Sequence, residues 1–230
     1  MRRRELDGAR KVQLLVVIWL AVSSTSVCGQ APPWSQGSPP PVRPVNEPLV
    51  NLKRVDASIE IELRYAGKDN IAGRPIYPKK MPALVRAGVA ERLVIAQRHL
   101  LTRGYRLKIW DAYRPPVAQT LLWQLAPDDS FVADPAAGRG SLHTWGVAVD
   151  ATMIDAKGRE VIMPTGFDDF TPAAMMRYTG TDPLVKFNLR VLQAAMARGG
   201  FLGLRTEWWH FTARNWKEYG PVREEMLLKR

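Results

Sequence analysis

The segment Ser141–Ile154 reads SLHTWGVAVDATMI. From Gly146 onward it is apolar and rich in β-branched residues, the composition of a buried strand. In such a strand Val147 and Val149 point to one side, and Ala148 and Asp150 to the other. A carboxylate therefore lies on a face otherwise lined by a small side chain, which leaves room for an ion. His143 precedes Asp150 by seven positions, an odd spacing that would turn the two side chains to opposite faces of one straight strand. Gly146 permits the bend that lets them converge.

Outward from this segment, the pattern predicts a mixture of strands and helices without regular alternation. Ser58–Tyr65 (SIEIELRY) alternates apolar and charged residues, which predicts a strand with one wet face. A Gly- and Pro-rich loop follows. Pro82 can open a helix running to about Thr102, closed by Gly104. Tyr105–Asp111 reads as a strand and Val117–Leu125 as a short helix. Asp182 can cap, and Pro183 start, a helix that ends at Gly199. Phe201–Phe211 reads as a last strand. The fold class is α+β, with a mainly antiparallel sheet and flanking helices.

That last strand carries Glu207-Trp-Trp-His210, a carboxylate three residues before an imidazole. Two neutral imidazoles and one carboxylate, with a fourth position left open, form a catalytic zinc arrangement, whereas a structural site is closed by four protein ligands. His143, Asp150 and His210 supply the three. Glu207 is then the candidate general base for the attacking water. Taken singly, each has a plainer reading: His143 as a structural histidine, Asp150 as a turn cap, Glu207 as an exposed charge on an edge strand. His99 reads as a surface residue of its helix.

A third group is Trp110-Asp-Ala-Tyr-Arg114-Pro115. The residue before a proline is pushed to extended backbone, which fixes the direction of Arg114 as the chain leaves a strand. An aimed guanidinium can hold an oxyanion; the alternative is an Asp111–Arg114 salt bridge that ends the strand.

Composition narrows the classes. The 230 residues include one cysteine, Cys28, which excludes an intramolecular disulfide and a zinc site built from several thiolates. The net charge of +11 is dispersed, without the aromatic or zinc-finger patterns of a nucleic-acid binder, so no nucleic-acid partner is expected. Residues 1–29 combine a basic start, an apolar run from Val12 to Val22 and a small polar tail, the composition of a secretory signal. The run is too short for a membrane span, and export to the periplasm or cell envelope is expected. Residues 30–48 hold seven prolines and read as a tether, leaving 49–230 as one domain.

The blocks RYAGKDNIAGRPIY, WDAYRP, SLHTWGVAVD, GFDDF and EWWHF, in that order between Arg64 and Phe211, resemble the zinc D-alanyl-D-alanine dipeptidases. The resemblance implies zinc held by His143, Asp150 and His210, a catalytic carboxylate at Glu207 and an oxyanion-stabilising arginine at Arg114. It also implies that Tyr65 and Asp168 receive the free amino terminus of a small dipeptide and that Ser141 contacts the substrate carboxylate. Leu142, Thr144, Trp145 and Ile71 depart from familiar members, which points to a pocket of altered preference. The wider group leaves a D,D-carboxypeptidase or endopeptidase acting on peptidoglycan stems as an alternative, and a non-catalytic envelope-binding module as another.

Overall fold

The computed structural model describes residues 46–223 and Met226. The leader, and the tether as far as residue 45, lie outside the described residues. The strands are β1 (Leu49–Asn51), β2 (Glu60–Ile61), β3 (Leu84–Arg86), β4 (Arg106–Asp111), β5 (Ala148–Ile154), β6 (Phe201–Leu204) and β7 (Glu207–Ala213). The helices are α1 (Leu52–Val55), α2 (Ala87–Leu101), α3 (Pro116–Leu125) and α4 (Pro183–Arg198). Five strands form a sheet in the order β2-β4-β5-β7-β6, and β1 pairs with β3 in a second, two-stranded sheet. All pairs are antiparallel except β2 with β4. The expected α+β class with a mainly antiparallel sheet is what the chain adopts.

β5 lies at the middle of the larger sheet and is buried along its whole length. Alternation divides it. Val147, Val149, Ala151 and Met153 join one core with Leu93, Leu100, Leu192 and Met196 of α2 and α4. Asp150 and Thr152 occupy the opposite face. α4 begins as its sequence dictates, with Asp182 Oδ1 accepting from Leu184 N at 2.8 Å and Pro183 in the first turn. No described helix is long and apolar enough to cross a membrane.

Three elements differ from their expected form. The helix placed from Pro82 starts only at Ala87, because Leu84–Arg86 pairs with Leu49–Asn51 as β3. The strand placed over Ser58–Tyr65 is confined to Glu60–Ile61, and Arg64–Ala66 forms a 3₁₀ turn whose Tyr65 carbonyl accepts from Ile76 N and Tyr77 N. The final strand is two, β6 and β7, joined by a turn at Arg205–Thr206 that folds the chain back on itself. Glu207 and His210 thereby sit on β7, directly beside β5.

Candidate metal centre

The sheet aligns the site by register. Asp150 of β5 faces His210 of β7 on one side and Asp111 of β4 on the other, the latter brought opposite by an irregularity between Ile109 and Asp111. His143 arrives from outside the sheet. It lies on a 3₁₀ turn, Leu142–Trp145, capped by Ser141 Oγ, which accepts from His143 N at 3.3 Å. Gly146 ends that turn at φ +71°, a left-handed conformation that costs other L-residues strain. A Cβ there would approach Leu49 Cδ2 to 2.6 Å. The bend anticipated at Gly146 is therefore real, and it carries His143 back over the strand to meet Asp150.

The three donor atoms form a small triangle. His143 Nε2 and His210 Nδ1 are 3.1 Å apart, Asp150 Oδ1 and His210 Nδ1 are 3.1 Å apart, and Asp150 Oδ1 and His143 Nε2 are 3.3 Å apart. Tetrahedral ligands of a zinc ion with bonds of ~2.0–2.1 Å are separated by roughly 3.3–3.4 Å, so the donor set fits that ion. The outer nitrogens orient the rings. His143 Nδ1 donates to Ala112 O at 2.9 Å, which turns its Nε2 inward, and His210 Nε2 lies 3.1 Å from Thr212 Oγ1, which leaves His210 Nδ1 facing the triangle. Burial pushes the Asp150 carboxyl upward, but the two histidines outweigh it and hold the group well below the ordinary carboxylate range. Burial also pushes His210 down, favouring the neutral ring that a metal requires.

Glu207 opens β7 and is buried, not the exposed edge charge of its plainer reading. Its Oε2 lies 4.0 Å from His210 Nδ1, and its Oε1 has no hydrogen-bond partner among the described residues. Burial first, and the nearby Asp150 charge second, push its pKa well above the carboxylate range. Such a group readily takes and holds a proton.

Arg114 is 7% exposed, and its guanidinium is held on two edges. Nε and Nη2 donate to Asp111 Oδ2 at 3.0 and 2.8 Å, and Nη1 donates to Gln119 Oε1 at 2.8 Å. The Asp111–Arg114 ion pair thus exists, yet it does not displace Arg114 from the site: Nη2 is 3.6 Å from Asp150 Oδ2. Arg114, Ser141, His143, Glu207 and His210 line one cavity of about 260 Å³. A larger cavity of about 740 Å³ beside β1 and β3 contains none of these groups.

Residues 46–220 match the family described as D-Ala-D-Ala dipeptidase. The chain belongs to that family. Among the dipeptidases it resembles is the D-alanyl-D-alanine dipeptidase of Escherichia coli strain K12, 39% identical over 166 residues, covering 71% of this chain and 83% of the relative. The enzyme of the same name from Enterococcus faecalis is 29% identical over 168 residues, covering 65% and 83%. The LdcB LD-carboxypeptidase is a looser structural likeness, with a TM-score of 0.42, 16% identity, and 76% and 71% coverage.

The three residues assigned to substrate in the dipeptidase reading divide. Ser141 lines the cavity beside the candidate metal donors. Tyr65 and Asp168 meet each other, the Tyr65 hydroxyl donating to Asp168 Oδ1 at 3.0 Å while Ile71 N donates to Oδ2 at 3.0 Å. Tyr65 joins them to the site, because the Arg114 guanidinium lies 5.0 Å from its ring centroid. Asp168 itself borders a separate cleft of about 400 Å³ with Ile71 and Phe167. Its φ of +54° is unusual for a non-glycine residue. Burial pushes its carboxyl up to about 7.

His99 sits partly exposed on α2 beside Arg103, outside the metal group. Gln119, and Tyr77, whose hydroxyl donates to Asp111 Oδ1 at 2.8 Å, escaped the sequence reading. Thr212 could have been found, since it lies two residues after His210 in a strand and so shares its face.

Proposed function

We propose that this chain is an exported zinc dipeptidase that hydrolyses D-Ala-D-Ala or a related small dipeptide with a free amino terminus. The observation that carries the reading is the convergence of the His143, Asp150 and His210 donor atoms, beside a cavity that His143, His210, Glu207 and Arg114 line. His143, Asp150 and His210 would hold the zinc. When bound, zinc supplies a Lewis acid that polarises the scissile carbonyl and lowers the pKa of water.

Glu207, buried and beside the donor triangle, takes the proton of the attacking water and returns it to the leaving amine. Arg114 donates to the carbonyl oxygen as negative charge develops there, a preorganised contact because Asp111 and Gln119 already fix the guanidinium. Asp168 receives the substrate ammonium, supported by the Tyr65 hydroxyl. Ser141 contacts the terminal carboxylate. A longer, acylated chain offers no ammonium, so Asp168 selects the free dipeptide. Export to the periplasm or cell envelope is supported by the composition of residues 1–29.

A panel of free and N-acetylated D,D-dipeptides, offered to zinc-loaded protein, tests the assignment. Turnover of free D-Ala-D-Ala with rejection of its acetylated form is the expected result. The opposite preference would favour the carboxypeptidase alternative, and no turnover of either would favour a binding module.

A further inference from the structure

Gln119 is 1% exposed, on the first turn of α3, and beyond its contact with Arg114 it has a second partner that the reaction described above does not use. Both ends of its amide are engaged. Oε1 accepts from Arg114 Nη1 at 2.8 Å, and Nε2 donates to the carbonyl of Ala133 at 2.7 Å. Ala133 belongs to the loop between α3 and the His143 turn, and that loop walls the metal cavity through Ser130, Phe131, Ala133 and Gly140.

The loop has a second tether. Thr206, adjacent to Glu207, donates from Oγ1 to Ser130 O at 2.8 Å. Phe131 stacks on Phe170 with ring centroids 5.0 Å apart, next to the Asp168 segment. One side chain therefore links the guanidinium aimed at the reacting carbonyl with the wall that shapes the cavity. The pairing requires a side chain that accepts at one end and donates at the other. A primary amide does both, a carboxylate only accepts, and a thioether does neither to useful strength.

We propose that Gln119 is a positioning residue for hydrolysis: it sets one edge of Arg114, with Asp111 setting the other, and holds the Ala133 wall at the distance the dipeptide needs. The two functions separate chemically. The Arg114 contact governs the chemical step, since a misplacement of about 1 Å at such a group costs roughly 10²-fold in rate. The Ala133 contact governs the fit of the bound substrate. This inference rests on the dipeptidase reading.

The test compares zinc-loaded wild type, Gln119→Met and Gln119→Glu on D-Ala-D-Ala, with zinc content and melting temperature recorded for each. Gln119→Met loses both contacts, and its kcat should fall roughly 10- to 100-fold with zinc retained. Gln119→Glu keeps the acceptor for Arg114 but sets an oxygen against Ala133 O. Its kcat should recover to within about threefold of wild type while KM stays raised roughly tenfold, the size of one lost hydrogen bond. A merely structural role would lower both melting temperatures without splitting kcat from KM.

A Gln119→Met kcat within about twofold of wild type, or a Gln119→Glu kcat as low as that of Gln119→Met, overturns the proposal. An unchanged KM in Gln119→Glu does so even where Gln119→Met fails to fold. Active wild type with unaffected variants rejects only the role of Gln119. Inactive zinc-loaded wild type rejects the dipeptidase reading, and this proposal with it.

Discussion

Asp150 and His210 occupy directly paired positions on β5 and β7, with Oδ1 and Nδ1 3.1 Å apart. The pairing places two of the three candidate metal donors on rigid backbone at the middle of the sheet, so their separation is set by strand geometry rather than by side-chain search. Replacing Asp150 with Asn keeps the shape but removes the anionic donor. Metal affinity should fall by more than the roughly 10- to 100-fold typical of losing an outer-shell partner, read by zinc analysis after dialysis.

The third donor depends on Gly146. Gly146→Ala would force a side chain into a left-handed conformation, at about 1–2 kcal/mol, and press a Cβ against Leu49. A loss of several degrees in melting temperature is expected, with weaker zinc retention because the His143 turn moves. Unchanged zinc retention would detach Gly146 from the site.

Arg114 makes directional contacts on two edges, which a lysine ammonium cannot reproduce. Arg114→Lys should lower kcat by roughly 10²–10³-fold, the cost of one lost oxyanion donor, with zinc content unchanged. A variant within a few-fold of wild type would remove Arg114 from the chemical step.

Asp168 makes two opposed pH effects. Its folded pKa of about 7 lies above the unfolded value, so the stability it contributes is fully present below the unfolded pKa and is lost as pH rises through about 7. Substrate binding runs the other way if, as proposed, ionised Asp168 holds the ammonium: KM should then fall as pH rises through about 7, up to the loss of the amine proton near ~8. Asp168→Asn should flatten both profiles. Melting curves from pH 4 to 8, and KM over the upper half of that range, check them.

The candidate metal centre was legible because its signals are local. An apolar run broken by one carboxylate, a glycine between it and a histidine, and a carboxylate three residues before a second histidine lie within two short segments. What escaped depends on distant partners. Leu84–Arg86 fits a helical apolar stripe as well as a strand, and only pairing with Leu49–Asn51 decides the matter. The turn at Arg205–Thr206 has no Asn-Gly or Asp-Gly to mark it, so β6 and β7 read as one strand. Gln119 contacts a backbone carbonyl fourteen residues away, and a carbonyl leaves no trace in side-chain identity. Asp111 appeared only as one half of a salt bridge, although it also takes the Tyr77 hydroxyl.

The most direct measurement is D-Ala-D-Ala turnover by one preparation before chelation, after chelation and after zinc is restored, with Glu207→Ala carried in parallel. Activity should vanish on chelation and return with zinc in the wild type, while Glu207→Ala binds zinc and stays inactive. Turnover that survives complete metal removal, or persists at wild-type rate without the Glu207 carboxylate, would contradict the account.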